Sequence, residues 1–143
     1  MTTELLAPAG GQEALVAAVQ SGADAVYMGF GAFNARRSAR NFSDEEFRAA
    51  VSYCHLRGVK VYLTLNTLVT DRELPALAAE ARTASECGVD AILVQDWGVL
   101  ATLQKIIPDV PLHASTQTSV QTLDGIKLLA DLGFCRAVLP REL

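Results

Sequence analysis

Cysteine is scarce in this chain: three residues at wide spacing among 143. An odd number so placed excludes a disulfide framework and points to a reducing compartment. Basic charge is also short, with 12 Lys and Arg against 16 Asp and Glu and a net charge of -4. Bulk attraction to nucleic acid or anionic membrane is therefore absent, and any such contact has to be local. No apolar run approaches membrane-spanning length, and no basic region precedes a long apolar core at the N-terminus. These features read as a cytoplasmic protein that does not enter membranes.

Familiar catalytic groupings are missing as well. Gly29-Phe30-Gly31 lacks the third glycine and the helix start of a dinucleotide fingerprint, and no phosphate-cradling lysine motif occurs. Cys54 and His55 are adjacent on a predicted helix, so their side chains diverge by about 100° and cannot act as nucleophile and base. Cys87 and Cys135 have no cysteine close enough to form a metal-ligand pair. No metal site is expected. His113 falls inside a predicted strand and reads as a packed barrel residue.

What is present is a repeat. Four times a helical stretch closes on glycine and runs into an apolar strand, at Gly22, Gly58, Gly88 and Gly133. The intervals of 36, 30 and 45 residues match one strand-helix unit of a parallel α/β protein. With Glu4 to Gly10 and Pro111 to Thr116 as two further strands, the pattern predicts six parallel strands alternating with five helices. That is an incomplete (β/α)8 TIM-type barrel. A complete barrel takes about 250 residues, so residues 1–143 are expected to be the N-terminal part of a single barrel-like domain in a longer protein.

Helix starts are well marked. Ser43 to Glu46 forms a capping box, with Phe42 and Phe47 at staple spacing, and Thr70 with Glu73 repeats the arrangement. In such folds the chemistry sits in the loops after the strands. Those positions hold Asn66, Asp96 and Arg141 as candidate catalytic residues. Arg36, Arg37, Ser115, Gln117 and Glu142 are candidate substrate-binding residues. Each has a plainer alternative: Asp96 suits the N-cap of a helix starting at Trp97, and the arginines suit a solvated loop.

The segments ELLAPAG, GADAVYMG, NARRSARNF, GVKVYLTLNT, VDAILVQDWGV, LHASTQTSV and LPREL, in that order, resemble the collagenase-like peptidase family, number 32 among peptidases of unassigned (U) catalytic type. Where relatives tend to read Asp-Pro-Gly after the fourth strand, this chain has Asp96-Trp97-Gly98. The resemblance implies a barrel-type N-terminal domain and two divergent activities. One is the peptidase of the family's label; the other is iron-sulfur-dependent hydroxylation of bases in transfer or ribosomal RNA, or of ubiquinone precursors. It implies cluster cysteines downstream of this segment, so the chain itself is expected to carry no cofactor. RNA hydroxylation is our leading expectation, with a non-catalytic folding or interaction module as a further alternative. Open sheet edges at Leu5, Leu6, Val138 and Leu139 predict self-association and no catalysis by this portion alone.

Overall fold

The computed structural model describes residues 2–35 and 42–142. Six strands, β1 (Leu6–Pro8), β2 (Ala25–Met28), β3 (Lys60–Leu65), β4 (Ala91–Val94), β5 (Leu112–Ala114) and β6 (Arg136–Ala137), alternate with five helices. The helices are α1 (Gln12–Gln20), α2 (Asp44–His55), α3 (Leu74–Cys87), α4 (Trp97–Ile106) and α5 (Leu123–Asp131). All neighbouring strands pair in parallel, and their spatial order is their order in the chain. This is the expected open TIM-type sheet. The four junction glycines all adopt left-handed conformations, with φ between 72° and 99°, which a residue without Cβ does at least cost.

Side-chain alternation divides the sheet into two faces. Val26, Met28, Val61, Leu63, Leu65, Ile92 and Val94 pack outward against Leu15, Phe47, Val51, Leu77 and Leu103 of the helices. Residues one step along, Ala25, Tyr62, Ala91 and Leu93 with Leu6, Tyr27 and Val138, form a second cluster on the concave face. A charged group holds the curl. Glu4, just ahead of β1, pairs with Arg136 of β6 across 132 residues of sequence. It also accepts the Tyr62 hydroxyl at 2.9 Å and lies 3.5 Å from the Lys60 ammonium. Since β1 and β6 are opposite edges of the sheet, they meet through Glu4 only because the sheet bends. The Arg136 guanidinium holds the Glu4 carboxyl below the usual carboxylate range.

The capping signals differ in outcome. At Ser43 both halves of the box form, the Ser43 hydroxyl accepting from the Glu46 amide while the Glu46 carboxylate accepts from the Ser43 amide. At Thr70 only the backward half forms. The Glu73 carboxylate accepts from both the Thr70 amide and hydroxyl, each at 2.8 Å. With its hydroxyl engaged as a donor, Thr70 opens a turn, and α3 begins at Leu74 with Pro75 in its first turn.

Candidate functional site

The register of the sheet stacks the concave side chains in rows. Thr64 pairs with Leu93, Leu93 with His113, and His113 with Arg136. One residue beyond the outward row Leu65, Val94, Ala114 and Ala137, the chain places Asn66, Gln95, Ser115 and Val138 side by side at the carboxyl ends of the strands. A cavity of about 310 Å³ opens there. Its apolar floor comes from Leu6, Tyr27, Leu93 and Val138, and its polar wall from Asn34, Thr64, Asn66, Ser115, Thr116 and Gln117.

Hydrogen bonds join that wall across three loops. Asn66 accepts from the Ala35 amide at 3.1 Å and donates to the Ser115 hydroxyl at 3.3 Å. The Ser115 oxygen also accepts from the Gln117 amide at 3.4 Å, and the Thr118 hydroxyl donates to the Ser115 carbonyl. Asn66 thus ties the loop after β2 to the loop after β5. Asn34 lies buried beside it. Its amide carbon sits 2.6 Å from where a Cβ on Gly29 would stand, so Gly29 is the space that lets Asn34 in.

Sequence-predicted residues therefore divide into groups. Asn66, Ser115 and Gln117 come together around the cavity. Asp96 stands outside the lining, as the N-cap of α4. One of its oxygens accepts from the amides of Gly98 at 2.7 Å and Val99 at 3.1 Å, and the other from the Val69 amide at 3.3 Å. Arg141 and Glu142 are exposed beyond β6 and line no part of the cavity. Arg36 and Arg37 lie outside the described residues. Asn34 is not among the candidates the sequence singles out; Gly29, directly after β2, is the feature of the sequence that points to it.

The cap makes a test of Asp96. Asp96→Ala is expected to lose about 1–3 kcal/mol of stability, because a cap is removed and the Val69 amide is left without its acceptor. Asp96→Asn keeps an oxygen for the cap but sets its amide NH2 against the Val69 amide, so it is expected to recover only the capping part of that loss. Urea denaturation measures both. An alanine variant as stable as the parent would show that the three bonds carry no weight.

Burial, and then the Arg136 charge, push His113 down to about 4, so the imidazole is neutral at pH 7. It meets the Tyr62 ring edge-on at 4.8 Å between centroids. Among the described residues no hydroxyl or thiol is hydrogen-bonded to either histidine, so the nucleophile-base pair of a serine or cysteine peptidase is not assembled. The cysteines do not fit an iron-sulfur cluster. Cys54 and Cys87 lie at the carboxyl ends of α2 and α3 and Cys135 just before β6, at the end of the sheet opposite the cavity. Burial raises the Cys54 thiol to about 11, far from the thiolate a metal requires. No group of three or more metal-ligating side chains occurs among the described residues.

Residues 10–143 match the sequence signature of Peptidase family U32. The chain belongs to this family. Among family relatives, it is 42% identical over 142 residues to the 23S rRNA 5-hydroxycytidine C2501 synthase of Escherichia coli, covering 98% of this chain and 21% of that protein. It is 38% identical to tRNA hydroxylation protein P of Helicobacter pylori and 33% identical to a collagenase of Porphyromonas gingivalis, covering 98% of this chain and 33% of each. The chain thus spans a third or less of these relatives. The solved structure of a U32 peptidase superposes with a TM-score of 0.76 at 17% identity, over 99% of this chain and 60% of that one, which establishes the shared fold.

Proposed function

We propose that this U32 chain is the base-holding part of an enzyme that hydroxylates RNA. One observation carries the reading: the cavity combines neutral amides and hydroxyls with an apolar, partly aromatic floor. A nucleobase is a flat, uncharged heterocycle whose edges both donate and accept hydrogen bonds. Asn34, Asn66 and Gln117 offer donors and acceptors of that kind, and Tyr27 and Leu93 offer surface to its faces. A phosphate or carboxylate would call for cations, and none lines this cavity among the described residues. Relatives named for rRNA and tRNA hydroxylation favour the same substrate class.

The role of these residues is to bind and orient the base; an iron-sulfur cluster would take its ligands from outside this chain. Three free cysteines suit a cytoplasmic setting, where thiols stay reduced and RNA is at hand. Among the described residues no helix is long and apolar enough to cross a membrane.

Deleting the gene and analysing transfer and ribosomal RNA nucleosides by mass spectrometry tests the reading. The expected result is loss of one hydroxylated nucleoside, restored by the intact gene. An unchanged nucleoside profile, with gelatin hydrolysis lost instead, would return the protein to the peptidase of its family label.

A further inference from the structure

Trp97 is the single tryptophan of the chain, and 51% of it is exposed. A large aromatic ring left in water is informative, because burial of such rings dominates core and interface energetics. Its position follows from the fold. Because α4 starts directly after β4, the helix N-terminus lies at the same rim as the cavity, and the Asp96 cap fixes it there. Side chains lean towards the N-terminus of their helix, which for the first residue of α4 is the strand-end side of the sheet.

A second apolar side chain accompanies it. Leu68, 72% exposed, precedes Val69, whose amide is bound by the same Asp96 carboxylate that caps α4. One carboxylate thereby holds neighbouring loops together with an exposed leucine and an exposed indole on them. The cavity adjoins the first of these loops through Asn66, two residues before Leu68; the loop after β4 contributes no lining but lies between Asn66 and the lining residues Ser115 and Gln117 of the next strand's loop. Among the described residues no ring stacks on the indole and no cation covers it.

Resting on the RNA reading of the cavity, we infer that Trp97, with Leu68 on the neighbouring loop, is a stacking platform for an unpaired nucleotide flanking the base held inside. With one base held in the cavity of about 310 Å³, the nucleotide flanking it along the strand is placed at the mouth. Every base presents a π-face, which makes an exposed indole a sequence-tolerant contact for single-stranded RNA. In a duplex those faces are already stacked, so the platform selects loops and unpaired ends.

The lone tryptophan is its own reporter. The 143-residue chain is titrated with single-stranded RNA oligonucleotides, following tryptophan emission and, with fluorescein-labelled RNA, anisotropy. Emission is expected to quench saturably over the concentration range in which anisotropy rises. Trp97→Ala, with an unchanged circular-dichroism spectrum, should weaken binding by about 5- to 100-fold, while Trp97→Phe keeps most of it. RNA binding that neither moves the emission nor weakens in Trp97→Ala would overturn the platform and leave the RNA reading standing. Quenching by gelatin peptides but not by RNA would reassign the patch to a peptide and overturn it too. Absence of any anisotropy change also overturns the platform, while the nucleoside assay still reports independently on the RNA reading.

Discussion

The stability gap between the Glu80→Gln variant and the parent chain should move by about 3 kcal/mol in favour of the variant between pH 4 and pH 8.5. Glu80 lies in the middle of α3 and turns under the loop that follows β2. One carboxylate oxygen accepts from the Ala32 amide at 3.3 Å; the other is buried with no hydrogen-bond partner among the described residues. Burial, only partly offset by the Ala32 amide, raises its pKa to about 7, and the Asp44 charge adds to the rise. A carboxyl whose folded pKa lies above its unfolded value of 4.5 binds its proton more tightly in the native state. The stability this gives is fully present below pH 4.5 and is lost as the pH climbs through about 7. Glutamine carries no charge at either pH, so the variant escapes the loss. Urea denaturation at the two pH values measures the difference, and parallel pH profiles for variant and parent would refute it.

The same contact explains a glycine. Gly31 sits at a φ of 66°, and a Cβ there would stand 2.2 Å from the Glu80 carboxylate. The left-handed backbone demands glycine at this point, and the close approach of the Glu80 carboxylate adds to the preference. The segment pinned in this way carries Asn34 and Ala35 into the cavity. Glu80 therefore holds the loop that forms one wall of the site through the Ala32 amide.

Sequence reasoning reached the fold because its signals are local. Each junction glycine marks a helix end by a conformation that one residue adopts, and Ser43 with Glu46 closes a cap within a single turn. Asn66, Ser115 and Gln117 were legible for a related reason: strand ends in a parallel sheet share one rim, whatever the loops do. The remainder is long-range. Glu80 lies 48 residues from the amide it binds, and Arg136 lies 132 from Glu4. Nothing in the periodicity of α3 distinguishes a glutamate facing solvent from one tucked under a glycine. Asp96 is open between two roles in the sequence because a cap and a rim carboxylate share a position; its cap bonds to Gly98 and Val99 and the long-range bond from Val69 show the first. Thr70 misled for a comparable reason: its hydroxyl donates to Glu73 where a cap would accept.

Sedimentation of the 15.3 kDa chain at tens of micromolar should show species larger than the monomer that decline on dilution. The sheet keeps two unpaired edges. Among the described residues β1 pairs only with β2, and β6 only with β5. Several of the exposed large apolar side chains gather there: Leu5 leads into β1, Leu139 follows β6, and Leu123, Leu128 and Leu132 lie on or just after α5, the helix before β6. Leu128 and Leu132 are four residues apart and share one helical face. Covering about 400 Å² of such surface yields on the order of 10 kcal/mol at roughly 25 cal/mol per Å², against association costs of about 4–15 kcal/mol. A weak, concentration-dependent association with a second copy is the outcome those opposing magnitudes allow. Shortness of the edge strands, three residues in β1 and two in β6, limits what backbone pairing can add. The apolar face of α5 therefore has to supply much of the drive, and Leu128→Glu with Leu132→Glu is expected to shift the chain towards monomer. A parent chain that sediments as one 15.3 kDa species at every concentration would show that its edges are closed by the curl that Glu4 and Arg136 hold.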